Sequence, residues 1–95
     1  MASFKELDVF QRSVIMVKYI YGVTKKFPEE EKFGIVSQLR RAAISIPSNI
    51  AEGASRRTVK DRQYFVDIAL GSLNEVYAQF LVADILEYLP KSEVK

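Results

Sequence analysis

Apolar residues recur every three or four positions through most of this chain, the rhythm of helices that bury one face. Leu7, Phe10, Val14, Val17 and Tyr21 share one face of a first predicted helix over about residues 8–26; the next position in phase, Thr24, is polar as the stripe ends. Ser3-x-x-Glu6 reads as a capping box just upstream. Gly22 weakens the helix end, and Phe27-Pro28 breaks the pattern, because proline disfavours α geometry in the residue before it. Pro28 then opens a second predicted helix. Glu29, Glu30 and Glu31 follow in its first turn, where carboxylates suit the positive end of the helix dipole. Its apolar stripe is Phe33, Ile35, Val36, Leu39, Ala42, Ala43, Ile46 and Ile50. Pro47 interrupts that stripe, which predicts one helix kinked at Pro47 and ending near Glu52, with Gly53 as a left-handed C-cap. Two helices meeting at Pro47 is the competing reading.

A third predicted helix runs over about residues 59–89, from a Thr58-x-x-Asp61 capping box to Pro90. Val66, Ala69, Leu73, Val76, Phe80 and Ala83 form a seam at heptad spacing, while Phe65, Ile68, Leu70, Tyr77, Leu81, Ile85 and Leu86 spill onto its other faces. A helix apolar nearly all round needs cover on more than one side. Two other helices supply part of it, and residues 91–95 are too few for another. Either the chain is a truncated four-helix bundle or its open surface serves self-association, and homo-oligomerisation is expected because large exposed apolar patches mark interfaces.

The fold class expected is therefore all-α: an antiparallel up-down bundle with three long helices and a kinked second helix, forming one domain over residues 1–95. The 95-residue length suits one domain, and the composition, 48% hydrophobic and 27% charged with 4 Gly and 3 Pro, is globular. His and Cys are both absent, which excludes disulfides, Cys₂His₂-type zinc sites and Cys- or Ser–His nucleophilic catalysis. No hydrophobic leader and no apolar run of about 20 residues is present, so no membrane association is expected and a cytoplasmic location is the default.

A net charge of +2 is too small to identify a partner, but its distribution is uneven. Between residues 40 and 62 lie Arg40, Arg41, Arg56, Arg57, Lys60 and Arg62 against only Glu52 and Asp61. Arg56 and Arg57 fall where the third helix opens, and free amides and the helix dipole there favour phosphate. Lys60 and Arg62 sit in its first turn, a poor place for cations on stability grounds alone. These six residues are the candidate nucleic-acid-binding set; the plainer alternative is solvated turn residues with inter-subunit ion pairs to Glu29, Glu30 and Glu31. Tyr19, Tyr21, Tyr64, Tyr77 and Tyr88 lie at helical spacing among aliphatics, which favours packing, with Tyr64 the one left open for base stacking. Glu52, Asp67, Glu75 and Asp84 sit in apolar context, but di-iron bundles need Glu-x-x-His, so capping, ion-pair or interface roles are expected of them. Asn74 and Gln79 are candidates for fixing helix register, and Gly71 for a close helix approach. No glycine-rich phosphate loop is present, and no cofactor is expected.

The string Leu39-Arg-Arg-Ala-Ala-Ile-Ser-Ile-Pro-Ser-Asn-Ile-Ala-Glu-Gly53, with Phe4-Lys-Glu-Leu7, Phe27-Pro-Glu-Glu-Glu and Ile68-Ala-Leu-Gly-Ser-Leu-Asn-Glu75, resembles a bacterial four-helix-bundle family. That family is named for proteins encoded within intervening sequences of large-subunit ribosomal RNA genes and is often labelled a ribosomal protein. The resemblance spans essentially the whole chain. It implies an up-down bundle assembling as a homopentamer, with no catalytic residues and no cofactor. A related branch holds the accessory proteins of diversity-generating retroelements, which resemble basic pentamers binding nucleic acid and a reverse transcriptase. Carried over, the matching positions are Arg40 and Arg41, then Ser45, Pro47, Ser48, Asn49, Glu52 and Gly53 as a kink-and-turn signature, with Arg56 and Arg57 extending it. Family members continue into a fourth helix beyond the counterpart of Leu89-Pro90, where this chain stops at Lys95. The expected partners are other copies of the chain, RNA or DNA, and a reverse transcriptase or ribosomal component. The expected function is non-enzymatic backbone binding through the basic turn; the alternative is an oligomeric scaffold for a protein partner.

Overall fold

The computed structural model describes residues 3–90, and every regular element among them is helical. Three α-helices, α1 (Asp8–Thr24), α2 (Ile35–Ala54) and α3 (Val59–Ile85), are preceded or joined by short 3₁₀ turns at Phe4–Glu6 and Glu29–Glu31. α3, with 27 residues, is about 40 Å long and sets the 44 Å long axis of a molecule 24 by 20 Å across. α2 is the central helix. It packs on α1 along one side and on α3 along another, whereas no Cα of α1 comes within 8 Å of one of α3 among the described residues. The core gathers on α2 accordingly: Leu39 and Ala43 are fully buried, and Val36, Ala42 and Ile46 join Ile20, Val23 and Phe27 from one side and Val76, Ala83 and Leu89 from the other.

Contacts between α2 and α3 step along the two helices in opposite senses. Gly53 meets Phe65, Ser45 Oγ meets Ser72 Oγ at 2.8 Å and Gln79 Nε2 donates to Gln38 Oε1 at 3.4 Å. Beyond α3, Tyr88 reaches back to Glu31 with its phenol donating at 2.7 Å. Small residues permit this close approach, and they correct the expected seam. Ala69, Ser72, Val76 and Ala83 are the buried positions of α3, whereas Val66 and Leu73 are exposed. Ser72 takes the inner place because its hydroxyl is matched by Ser45, and Leu73, one residue on, is turned about 100° outward. Of the amides expected to fix register, Gln79 lies at this interface and Asn74 is exposed.

Other boundaries also differ from expectation. The three glutamates do not open α2. They form a 3₁₀ turn, and Gly34 (φ −107°, ψ −117°) separates it from a helix that begins at Ile35. Phe33 is thereby removed from the apolar stripe and stands 89% exposed. Pro47 lies inside α2, which continues through it as a single helix. Gly53 is not a left-handed cap. It is buried within α2, and a Cβ added there would lie 3.0 Å from Phe65 Cβ, so it is the glycine that marks a close helix approach. Gly71, expected in that role, has no such neighbour within 4 Å.

The left-handed residue is Glu87 (φ 61°). It completes a Schellman stop in which Tyr88 N–H donates to Ala83 C=O and Glu87 N–H to Asp84 C=O, both at 2.9 Å. α3 therefore ends at Ile85, four residues before Leu89, and the reversal returns the chain to the bundle. Leu89 is buried, and the Tyr88 ring packs at 5.4 Å centroid distance on Phe27. At the opposite end of the chain, Ser3 Oγ accepts from Lys5 N–H at 3.3 Å and caps the first 3₁₀ turn; α1 begins after Leu7 with no side-chain cap.

Candidate nucleic-acid interface

The turn from α2 to α3 is built by its own side chains. Ser55 and Arg56 amides donate to the Glu52 and Gly53 carbonyls at 3.2 and 3.1 Å, closing α2. Thr58 has extended backbone geometry, and its hydroxyl accepts the Asp61 amide at 3.0 Å, so the expected N-cap of α3 forms. The amides of Val59 and Lys60 are left without intrahelical acceptors, as at any helix start. Asp61 is the one carboxylate in that first turn.

Four of the six candidate cations converge here, and they divide into two kinds. Arg56 is tied down: its guanidinium pairs with Glu52 one helical turn back and lies 4.8 Å from the centroid of the Phe65 ring. Arg62 donates from Nε to the Arg56 carbonyl at 2.9 Å and so braces the turn. Arg57 and Lys60 are exposed and engage no partner among the described residues. With Glu52 and Asp61 counted against the four cations, the turn carries the chain's whole net charge of +2.

Arg40 and Arg41 are elsewhere. They lie in α2 sixteen residues before Arg56 and Arg57, about 20 Å along the axis from the helix end at Ala54. Arg40 is half-buried against α1. Its Nε donates to Thr24 Oγ1 at 2.9 Å and its Nη2 to the Tyr21 carbonyl at 3.4 Å, with the guanidinium 4.5 Å from the Tyr21 ring centroid. The stripe that turned polar at Thr24 does so for this reason: Thr24 is buried and its hydroxyl, donating to Ile20 C=O at 2.7 Å, is the acceptor that holds Arg40. Arg41 is exposed on the rim of a separate basic cleft of about 390 Å³ bordered by Tyr21, Lys32, Phe33, Arg40 and Arg41, where sequence reasoning missed Lys32 and Phe33 as companions of the two arginines. The signal available for it was Gly34, which takes Phe33 out of the helix.

Tyr64, the tyrosine left open for stacking, is 61% exposed and packs edge-on to Phe65 beside the turn. Glu52 pairs with Arg56, Asp67 accepts from Gln63 at 2.8 Å and Glu75 from Gln79 at 3.1 Å, so three of the carboxylates in apolar context serve local contacts. No group of three or more potential metal ligands occurs among the described residues, and no described helix is long and apolar enough to cross a membrane.

Next to the turn, Leu7, Val9, Ile50, Val66, Leu70 and Leu73 line a groove of about 440 Å³, almost wholly apolar. It continues into a row of exposed apolar residues on α3, including Tyr77 and Leu81. This is the face that two partner helices leave uncovered.

A search of curated proteins found no match to the chain. The family model described as 23S rRNA-intervening sequence protein matches residues 5–95, which takes in α1, α2, α3 and the basic turn between the last two. The chain belongs to the 23S rRNA-intervening sequence protein family.

Proposed function

We propose that this chain is a non-enzymatic, homo-oligomeric, cytoplasmic helical-bundle protein that binds the phosphate backbone of RNA or DNA through the α2–α3 turn. The observation that carries the reading is the pairing pattern there. Arg56 and Arg62 hold the turn's shape, leaving Arg57 and Lys60 exposed and uncommitted beside the start of α3. Such groups position a backbone without selecting a sequence. Self-association rests on the apolar groove and the exposed α3 row, an area that soluble proteins rarely leave open. In this reading α1, α2 and α3 are three arms of an up-down bundle bent at Pro47, neighbouring copies cover the exposed apolar face of α3, and a pentamer repeats the turn around a ring.

Fluorescence anisotropy with labelled structured RNA and duplex DNA at several salt concentrations tests it. Each phosphate contact contributes about 0.9 to the log–log salt slope on duplex DNA. Arg57→Glu with Lys60→Glu should weaken binding to all sequences alike and lower the slope by about 1.8. Unchanged affinity and slope contradict the assignment. The second reading, a scaffold for a protein partner such as a reverse transcriptase or ribosomal component, draws on the same apolar row on α3. It requires no salt-dependent nucleic-acid binding and predicts that the double reversal disturbs assembly instead.

A further inference from the structure

The cleft between α1 and the start of α2 combines three features that the function proposed above does not use. Phe33 projects into solvent, 89% exposed, on the turn ahead of Gly34, and Lys32 Nζ lies 5.6 Å from its ring centroid. Arg41 stands exposed on the next stretch of helix. Arg40 forms part of the wall, oriented by Thr24 Oγ1 and the Tyr21 carbonyl, both neutral acceptors. Among the described residues no carboxylate lies within 4 Å of Lys32, Arg40 or Arg41. A half-buried guanidinium held by neutral groups keeps its full positive field, and three cations without a carboxylate partner around one exposed aromatic ring leave a site complementary to something both flat and anionic. At about 390 Å³ the cleft is within the size range of small-ligand sites.

We infer that this cleft binds an unpaired nucleotide of single-stranded RNA or DNA, with the base stacked on Phe33 and the flanking phosphates on Lys32 and Arg41. Stacking platforms set among cations are the usual means of holding single strands, since every base offers a π-face whatever the sequence. Arg40 is a positioning residue: its two hydrogen bonds fix the charge at the back of the cleft. A duplex keeps its bases stacked on one another and offers none to Phe33, so the cleft separates single strands from duplexes, whereas the α2–α3 turn does not. The inference shares the class of ligand with the reading above but not its residues.

The test is anisotropy of the full chain with fluorescein-labelled U12 RNA and with a 12-base-pair duplex, across a salt series. Loss of one stacked base weakens binding about 5- to 150-fold. Phe33→Ala should therefore bind U12 that much more weakly with an unchanged salt slope, bind the duplex as the parent does, and be restored by Phe33→Tyr. Lys32→Gln with Arg41→Gln should instead lower the single-strand slope by about 1.4. Failure of the parent chain to bind U12 at low salt overturns the inference, as does equal loss on both ligands or none on either. A fall in sedimentation mass on Phe33→Ala also overturns it, because Phe33 would then be a subunit contact. If Arg57→Glu with Lys60→Glu is silent while Phe33→Ala is selective, the turn assignment fails and this one stands.

Discussion

Gly53→Ala should destabilise the protein, although alanine is the better helix former. The methyl carbon it adds would sit 3.0 Å from Phe65 Cβ, inside the roughly 3.5–4.0 Å at which two carbons attract. Phe65 Cβ is bonded directly to the α3 backbone, so no rotamer change relieves the contact and the two helices must separate. Overpacking of this kind costs about 1–3 kcal/mol. Replacing glycine by alanine in a helix returns about 1 kcal/mol. The net expectation is a loss of about 0–2 kcal/mol. Gly22→Ala and Gly71→Ala are the internal controls: each added carbon has no such neighbour within 4 Å, so each should gain about 1 kcal/mol unopposed. Thermal unfolding followed by circular dichroism at one fixed protein concentration, since an oligomer's stability depends on it, resolves the difference at about 4–8 °C per kcal/mol for a domain of this size. Gly53→Ala melting at or above Gly22→Ala would refute the close-approach account.

Three further outcomes follow from the same contacts. Glu87→Gly should raise stability by about 1 kcal/mol, because a side chain in the left-handed region costs roughly 1–2 kcal/mol and glycine escapes it; a lower melting temperature would contradict the Schellman stop. Leu39→Ala empties the most enclosed aliphatic site on α2 and should cost about 2–5 kcal/mol in urea unfolding. Tyr88 has its phenol pKa raised above 10.0, first by its hydrogen bond to Glu31 and then by burial and the nearby carboxylates. The folded value exceeds the unfolded one, so the contribution is complete below about pH 10 and is lost as pH rises through the folded value. Urea unfolding in that range should show stability falling, and Tyr88→Phe should flatten the fall; an identical alkaline profile in both proteins would show that the Glu31 contact is not felt.

The helical class, the number of long helices and the capping of α3 by Thr58 were set locally, by apolar spacing, proline placement and a hydroxyl three residues ahead of an amide. The family was legible for a related reason, since a long string in α2 carries it. What the sequence left open was decided by how closely helices approach. Leu73 looked like core and Ser72 did not, yet Ser45 across the interface made the small hydroxyl the inner residue and sent the leucine outward. Gly53 read as a cap because a glycine after a helical stretch often is one, and only the Phe65 contact shows that it permits packing instead. Periodicity reports which side of a helix is apolar, but not which apolar residues a neighbour will leave room for. The candidate site followed the same division. Clustering along the chain was enough to find Arg56, Arg57, Lys60 and Arg62, which a single turn keeps together. Arg40 and Arg41, adjacent to them only in composition, belong to a cleft that exists because Gly34 delays α2 and exposes Phe33, and because Thr24 on another helix holds Arg40 in place.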